Sequence, residues 1–154
     1  MRRSQLRPPR ARPDLRLHII ARGKIGRSPE AELVDRYLKR IAWPTRVTEL
    51  PDAGGRAPDP PPRTKTVLLD GKGDMLSSTA LAEMLGRWRD EGVREARFLI
   101  GAADGFDDSE RAAADVLLSF GRATWPHLLA RAMLAEQLFR AISILAHHPY
   151  HRDG

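Results

Sequence analysis

The feature that most constrains the fold is the regular alternation of short apolar segments with longer segments of helical periodicity. The apolar segments are rich in Leu, Ile and Val, as strands are, and occupy residues 15–21, 46–50, 66–70 and 96–100. The helical segments carry apolar side chains three and four residues apart, over residues 28–42, 77–91, 107–120 and 126–146. This alternation predicts an α/β fold with a mainly parallel sheet and helices on both faces.

Local signals sharpen this prediction at the helix ends. Ser28 precedes Pro29, and Ser77 or Ser78 and Asp107 or Asp108 open the next two helices as N-caps. A short extended piece over residues 122–125 leads to Pro126, which starts the last helix. The apolar residues of that helix occupy more than one side of it, which indicates burial on two sides and suggests a subunit interface.

Two segments stand apart from this pattern. Residues 51–63 are rich in Pro and Gly and are predicted to be a long, irregular loop. Residues 1–14 hold five arginines and one aspartate, so they carry +4 of the net charge of +6. We interpret residues 15–154 as one domain and residues 1–14 as a basic, disordered extension. The extension could attract RNA, have no role, or reflect a start codon assigned too far upstream.

Composition excludes several classes of chemistry. The 154 residues include no cysteine, which removes disulfides, thiolate metal sites and thiol nucleophiles. This fits a cytoplasmic protein, and no apolar stretch reaches the ~20 residues of a membrane span. His147, His148 and His151 lack a carboxylate partner and are interrupted by Pro149, so we expect no metal site. Such a tail suits phosphate contact and base stacking better.

Ligands of parallel sheets bind beyond the carboxyl ends of the strands. That rule selects three segments of the sequence, which are residues 69–73, residues 101–105 and the turn before Pro126. Glycines at Gly101 and Gly105 would let backbone approach a ligand closely. Each segment taken alone could equally be an ordinary connection between a strand and a helix.

The last third of the chain carries a more specific pattern. It runs from Leu99-Ile100-Gly101 through Leu117-Leu118-Ser119-Phe120 and Thr124-Trp125-Pro126-His127 to Glu136-Gln137-Leu138-Phe139-Arg140 and Pro149-Tyr150-His151-Arg152. This pattern closely resembles the RlmH family of the SPOUT superfamily, whose members methylate a pseudouridine of large-subunit ribosomal RNA. The resemblance covers roughly residues 15–152 and is strongest from Leu99 onward.

The resemblance implies properties that the residue pattern alone does not. They are a SPOUT-type C-terminal trefoil knot, a homodimer, and S-adenosylmethionine bound in the knot near the subunit interface. The implied cofactor-binding residues are Leu69, Gly101, Phe120, Gly121, Arg122, Ala123, Thr124 and Trp125. The implied catalytic, RNA-facing residues are His127, Tyr150, His151 and Arg152, with the tail reaching the partner's site.

The implied reaction is methyl transfer to N3 of a pseudouridine in 23S rRNA on the assembled ribosome. The missing cysteine agrees with it, because a ring nitrogen is itself the nucleophile once its proton leaves. Alternatives are a SPOUT enzyme acting on another RNA such as tRNA, a non-catalytic RNA-binding protein, and an unknotted nucleotide-binding protein. The chain departs from the family at Ala102, where a second glycine is usual, in the Pro-rich residues 51–63, and in residues 1–14.

Overall fold

The computed structural model describes residues 14–102 and 104–152. Nearly all of the predicted basic extension therefore lies outside the described residues. The five strands are β1 (Arg16–Arg22), β2 (Thr45–Leu50), β3 (Thr64–Asp74), β4 (Glu95–Ile100) and β5 (Val116–Leu118). The four helices are α1 (Pro29–Leu38), α2 (Ser78–Asp90), α3 (Asp108–Ala113) and α4 (His127–Leu145).

The strands form one sheet in the order β2-β1-β4-β3-β5, and every described pair is parallel. This confirms the predicted α/β class and the parallel sheet. Since all strands point the same way, their carboxyl ends meet at one edge.

One face of the sheet packs against helices. Successive residues of a strand point to opposite faces, and Leu17, Ile19 and Phe98 point to the face covered by α2 and α4. Trp43 and Trp88, whose positions among apolar residues of helical spacing predict a place in the core, are both buried in this cluster. Helix α4 contacts both α1 and α2 and is therefore central to this layer.

The opposite face is covered differently. Ile20, Leu68 and Leu99 border a cavity that is closed by α3 and by the Pro-rich segment. Residues 51–63 contain neither helix nor strand, as predicted. Arginine side chains anchor this segment, because Arg22 donates to the carbonyls of Pro51 and Gly55 and Arg97 to those of Pro58 and Asp59.

The helix predicted over residues 107–120 was wrong in its second half. Helix α3 ends at Ala113, because Ala114 is extended, and residues 116–118 form β5 beside β3. The apolar run Val116-Leu117-Leu118 is better stabilised as a strand paired with β3 than as a continuation of α3. The fifth strand thus lies before residues 122–125, which are irregular, rather than at them.

Strand β3 is also longer than predicted. It continues through Gly71 and Gly73 to Asp74, with a register irregularity between Leu69 and Asp74. A Cβ on Gly73 would lie 2.5 Å from the backbone of Leu117, so glycine is required for this close approach.

The predicted caps are present. Ser28, Ser77 and Asp107 each accept a hydrogen bond from the backbone N–H three residues ahead. Helix α1 is shorter than predicted and ends at Leu38 rather than residue 42. None of the helices in the described part of the chain has the length and apolar content that crossing a bilayer requires.

Candidate active site

The sheet register brings the predicted cofactor residues together. Leu69 pairs with Ile100 on one side and with Leu118 on the other. Consequently Gly101 and the segment that begins at Ser119 leave the sheet next to Leu69, at its carboxyl edge. The structure therefore assembles Leu69, Gly101 and the start of residues 120–125 from three separate parts of the chain.

The segment after β5 is folded back on itself. The Ser119 hydroxyl donates to the Gly121 carbonyl at 3.0 Å, and Gly121 adopts a φ of +110°, which favours glycine. The indole N–H of Trp125 donates to the Phe120 carbonyl at 3.2 Å and closes the turn. Arg122, Ala123, Thr124 and Trp125 are exposed around it.

The loop after β4 turns back closely over Gly101. A Cβ on Gly101 would lie 3.3 Å from the ring of Phe106 and 3.4 Å from the Gly105 backbone. A larger side chain at position 101 would therefore press against this loop. We call Leu69, Gly101 and residues 120–125 the cradle, because these segments leave the sheet side by side at its carboxyl edge.

An apolar cleft adjoins this cradle between α1, α2 and α4. Its lining combines half-buried or exposed apolar side chains with a few polar groups. The apolar side chains are Leu33, Tyr37, Met75, Leu76, Leu129 and Met133. Met75 is 68% exposed, and Leu129 and Met133 lie on the second apolar side of α4 that the sequence predicted.

His127 lies at the other half of the carboxyl edge. It is the first residue of α4 and is exposed, beside a cleft formed by Gly23, Lys24 and residues 49–52. Gly23 follows β1 and has a φ of +86°. A Cβ at that position would lie 2.8 Å from Oδ1 of Asp52 and 3.8 Å from Nε2 of His127.

An ion pair between a buried arginine and a partly exposed glutamate lies one helical turn beyond His127. Arg131 is 1% exposed, and its Nη1 contacts Oε2 of Glu49 at 2.6 Å while its Nη2 donates to the Gly23 carbonyl at 3.0 Å. The same Glu49 oxygen accepts the Ile25 N–H at 2.8 Å. Burial raises the pKa of Glu49, but these hydrogen bonds and the nearby cations outweigh burial, so its pKa lies below the ordinary value.

The C-terminal tail packs on the middle of α4. The Tyr150 hydroxyl donates to Oε1 of Glu136 at 3.1 Å, and the Tyr150 ring stacks under the Arg140 guanidinium at 4.8 Å. Arg140 also contacts Nδ1 of His151 at 3.2 Å. Burial and the Glu136 charge raise the pKa of Tyr150 to about 12, so its hydroxyl stays a neutral donor. Arg152 is exposed.

The structure separates two groups of predicted catalytic residues. His127 and Glu136 are nine residues apart on one helix, which is about 14 Å along its axis. Within one chain, Tyr150 and His151 therefore lie far from His127. Among the described residues, no three His, Cys, Asp or Glu side chains are grouped so that they could hold a metal ion.

Sequence reasoning underestimated several side chains. Glu136 and Arg140 are four residues apart, a spacing that predicts only a pair supporting the helix, whereas in the structure they also bind the tail. Glu49 and Asp52 were not selected at all. Their position at and just after the end of a predicted strand was the signal that could have identified them.

The parallel sheet, with its cradle and clefts at the carboxyl edge, defines an α/β protein built to bind a ligand there. A family profile described as "Predicted SPOUT methyltransferase" matches residues 15–151. In structure, the chain is similar to a probable methylase family protein from Haemophilus influenzae, with a TM-score of 0.57 over 93% of this chain and 72% of that one. At 11% identity, that likeness concerns the fold alone.

Similar sequences narrow the class. Proteins called ribosomal RNA large subunit methyltransferase H are 72% identical in Rhizorhabdus wittichii, 68% in Novosphingobium aromaticivorans and 61% in Zymomonas mobilis. These matches cover 90–91% of this chain and 99–100% of the relatives. The chain belongs to the RlmH family of SPOUT methyltransferases.

Proposed function

We propose that this protein transfers the methyl group of S-adenosylmethionine to N3 of a pseudouridine in 23S rRNA of the assembled ribosome. The observation that carries the proposal is 61–72% identity, over nine-tenths of the chain, to large-subunit ribosomal RNA methyltransferases. The cradle of Leu69, Gly101 and residues 120–125 supports the choice of cofactor. A ribosomal substrate also favours action in the cytoplasm.

For this reaction the protein mainly has to align N3 of the base with the methyl group and to assist removal of the N3 proton. Bound S-adenosylmethionine would supply an electrophilic methyl group. The residues of the chain hold the base so that N3 faces this group at a reactive distance of about 3–3.5 Å. His127 accepts the N3 proton or orients N3, and Arg152 stabilises the developing charge or holds a phosphate.

We infer that the protein acts as a homodimer with a C-terminal trefoil knot, and that residues 15–154 are one domain. The separation of Tyr150 and His151 from His127 along α4 supports a site completed by the partner's tail. The apolar cleft lined by Met75, Leu129 and Met133 supports a subunit contact next to the cofactor cradle. The bond from Ser119 N–H to Asp74 C=O ties together two segments that a knot would interlace.

Methyl transfer from labelled S-adenosylmethionine tests the reaction. Purified ribosomes, free subunits and bulk tRNA are offered separately, and the product nucleoside is identified by mass spectrometry. We expect N3-methylpseudouridine only with assembled ribosomes. Product on tRNA would contradict the substrate, and S-adenosylmethionine binding without transfer to any RNA would contradict the reaction.

Replacement of His127 tests the mechanism. We expect His127→Ala to lower turnover by about 10²- to 10⁴-fold, the usual contribution of a proton-transfer group, while the affinity for S-adenosylmethionine is unchanged. Lys39→Ala is the control, since Lys39 is an exposed residue at the C-terminal end of α1 and belongs to neither predicted site. Unchanged turnover in His127→Ala would remove this residue from the mechanism.

Mixed dimers test the composite site. His127→Ala and Arg152→Ala subunits are each expected to be inactive alone. Coexpression should restore part of the turnover, because one of the two sites in a mixed dimer then has both an intact His127 and an intact tail. No recovery in a verified mixed dimer would contradict a site shared between subunits.

A further inference from the structure

The cleft beside His127 adjoins the cofactor cradle. His127 follows Trp125 by two residues. Gly23 directly follows β1, and β1 lies next to β4, which leads into Gly101. A methyl acceptor must lie within about 3–3.5 Å of the donor carbon, so it must bind in a space next to the cradle. The cleft of Gly23, Lys24, residues 49–52 and His127 meets this requirement and is lined by polar groups.

Three separate elements form this cleft. Gly23 directly follows β1, Asp52 lies in the segment after β2, and His127 lies in the first turn of α4. The side chains of Asp52 and His127 both lie close to the position that a Cβ of residue 23 would occupy. Their relative positions therefore depend on how firmly β1, β2 and α4 are held together at this edge.

Arg131 is the side chain that joins the three elements. It is carried by α4, donates to the carbonyl of Gly23 in the β1 segment, and contacts Glu49 of β2. A guanidinium holds two acceptors at a fixed angle, which a lysine ammonium cannot do. Since residues four apart share a helix face, Arg131 also fixes the turn that presents His127.

Stability alone does not explain this arrangement. Burying a guanidinium is costly, and an ion pair recovers that cost only with good geometry and satisfied donors. Here Nε of Arg131 has no hydrogen-bond partner within the described residues, although the side chain is 1% exposed. The first turn of α4 also has no side-chain cap, because its N-cap is Pro126. The interaction thus orders the cleft at a net cost to the fold.

We propose that Arg131 and Glu49 are positioning residues, whose ion pair holds Gly23, Asp52 and His127 in one cleft that receives the acceptor base. This inference rests on the proposed function and extends it to residues that touch neither cofactor nor base. The pair acts through His127, so its loss lowers turnover without changing the cofactor cradle.

Glu49→Gln tests the proposal, with Glu95→Gln as the matched control. Both glutamates are strand residues paired with a buried arginine, but Glu95 begins β4 and lies at the amino end of the sheet. The measurements are kcat and KM on ribosomes, the Kd of S-adenosylmethionine by calorimetry, the thermal midpoint, and the His127 imidazole resonances by NMR.

For Glu49→Gln we expect kcat to fall about 10- to 100-fold, because a small misplacement of a reacting group lowers the rate by such a factor. We also expect an unchanged Kd for the cofactor and shifted His127 resonances. For Glu95→Gln we expect a lower thermal midpoint with kcat and the His127 resonances unchanged. Retention of kcat and of the His127 resonances by Glu49→Gln overturns the proposal. An equal loss of kcat in Glu95→Gln also overturns it, because the effect would then be general destabilisation.

Two further arrangements keep the test decisive. If Glu49→Gln does not fold, Arg131→Lys is tested instead. Lysine keeps the positive charge but cannot hold two acceptors at a fixed angle, and the same changes in kcat and in the His127 resonances are expected. If the wild-type protein methylates none of the RNAs offered, the proposed function fails. The His127 resonances then decide the positioning role alone, since they report the cleft without any reaction.

Discussion

Two glutamate–arginine pairs, each with a buried arginine, lie at opposite ends of the same sheet. Arg97 and Glu95, both nearly inaccessible, lie near the amino end of β4, where Arg97 also binds the carbonyls of Pro58 and Asp59. Arg131 and Glu49 lie at the carboxyl edge and bind groups that line the His127 cleft, and the Glu49 side chain is 34% exposed. Because the pairs differ in position and in burial of the glutamate, we expect the first to support the fold and the second to support the site.

The largest expected effect is the stability loss from removing Arg97. Arg97→Leu leaves the buried Glu95 with only the more distant His18 and Arg46, each 3.7 Å away, so we expect a loss of up to about 3–5 kcal/mol in the free energy of unfolding. Turnover per folded molecule should be retained in Arg97→Leu. In Arg131→Leu the remaining partner Glu49 is 34% exposed, so we expect a smaller loss of stability together with a loss of turnover. Urea unfolding and turnover corrected for the folded fraction measure the two quantities.

The double variant Arg97→Leu with Glu95→Leu sharpens this result. Removing both charges avoids a buried carboxylate that has lost its hydrogen-bonded arginine, so part of the lost stability should return. If Arg97→Leu abolished turnover in fully folded protein, the division between a structural pair and a positioning pair would be wrong.

A smaller effect is expected at the glycines of the β1–α1 connection. Gly23 and Gly26 both have positive φ values, so alanine costs each about 1–2 kcal/mol of stability. A Cβ at Gly26 meets nothing within 4 Å, whereas at Gly23 it meets Asp52 and His127. We therefore expect Gly23→Ala to lower turnover and Gly26→Ala to leave it unchanged. Equal turnover of the two variants would contradict the account of the cleft.

Tyr150 provides the next smaller test. Tyr150→Phe keeps the ring packed against Phe139 and Arg140 but loses the bond to Glu136, at a cost of about 0.5–1.5 kcal/mol. Because the pKa of Tyr150 is raised to about 12, the stability it contributes is complete below pH 10 and is lost as the pH rises towards 12. The pKa of Tyr150 is measured by following tyrosinate absorbance during an alkaline titration of the wild-type protein and of Tyr150→Phe. Titration of both tyrosines near pH 10 would contradict the buried bond.

The sequence predicted the parts of the structure that depend on local periodicity. Four strands, the helix caps and the buried tryptophans follow from spacing and from residue type. Strand β5 was missed because three apolar residues after a capped helix do not distinguish a continued helix from a strand. Its conformation is decided by pairing with β3, which lies more than forty residues earlier.

The candidate site was predictable to the extent that it is carried by contiguous motifs. The specific sequence motifs lie in residues 120–127 and 150–152. The register of β3, β4 and β5 then places Leu69 and Gly101 beside the first of these motifs. Glu49 and Arg131 are 82 residues apart, and no spacing rule relates them. The burial of Arg97 could not be predicted for the same reason, because its partners come from distant parts of the chain and meet it only in the tertiary fold.

The smallest expected effect is a pH dependence that belongs to the amino-end pair alone. His18 is buried, its Nε2 lies 2.7 Å from Thr48 Oγ1, and its ring faces Arg46, Glu95 and Arg97. Burial, helped by the two arginines, lowers the pKa of His18 despite Glu95. The folded protein therefore binds this proton less readily than the unfolded chain, whose histidine has its ordinary pKa of about 6.5.

The sign of the effect follows from proton linkage. Stability is complete above pH 6.5 and declines as the pH falls below it, at no more than about 1.4 kcal/mol per pH unit for one group. His18→Gln should flatten the decline of unfolding free energy between pH 6.5 and 5, where few carboxyl groups titrate. Glu49→Gln should leave the decline in this window in place, since the pKa of Glu49 lies below its ordinary value. If Glu49→Gln flattened the same window, the two pairs would be electrostatically coupled, and their separation into structural and positioning roles would not hold.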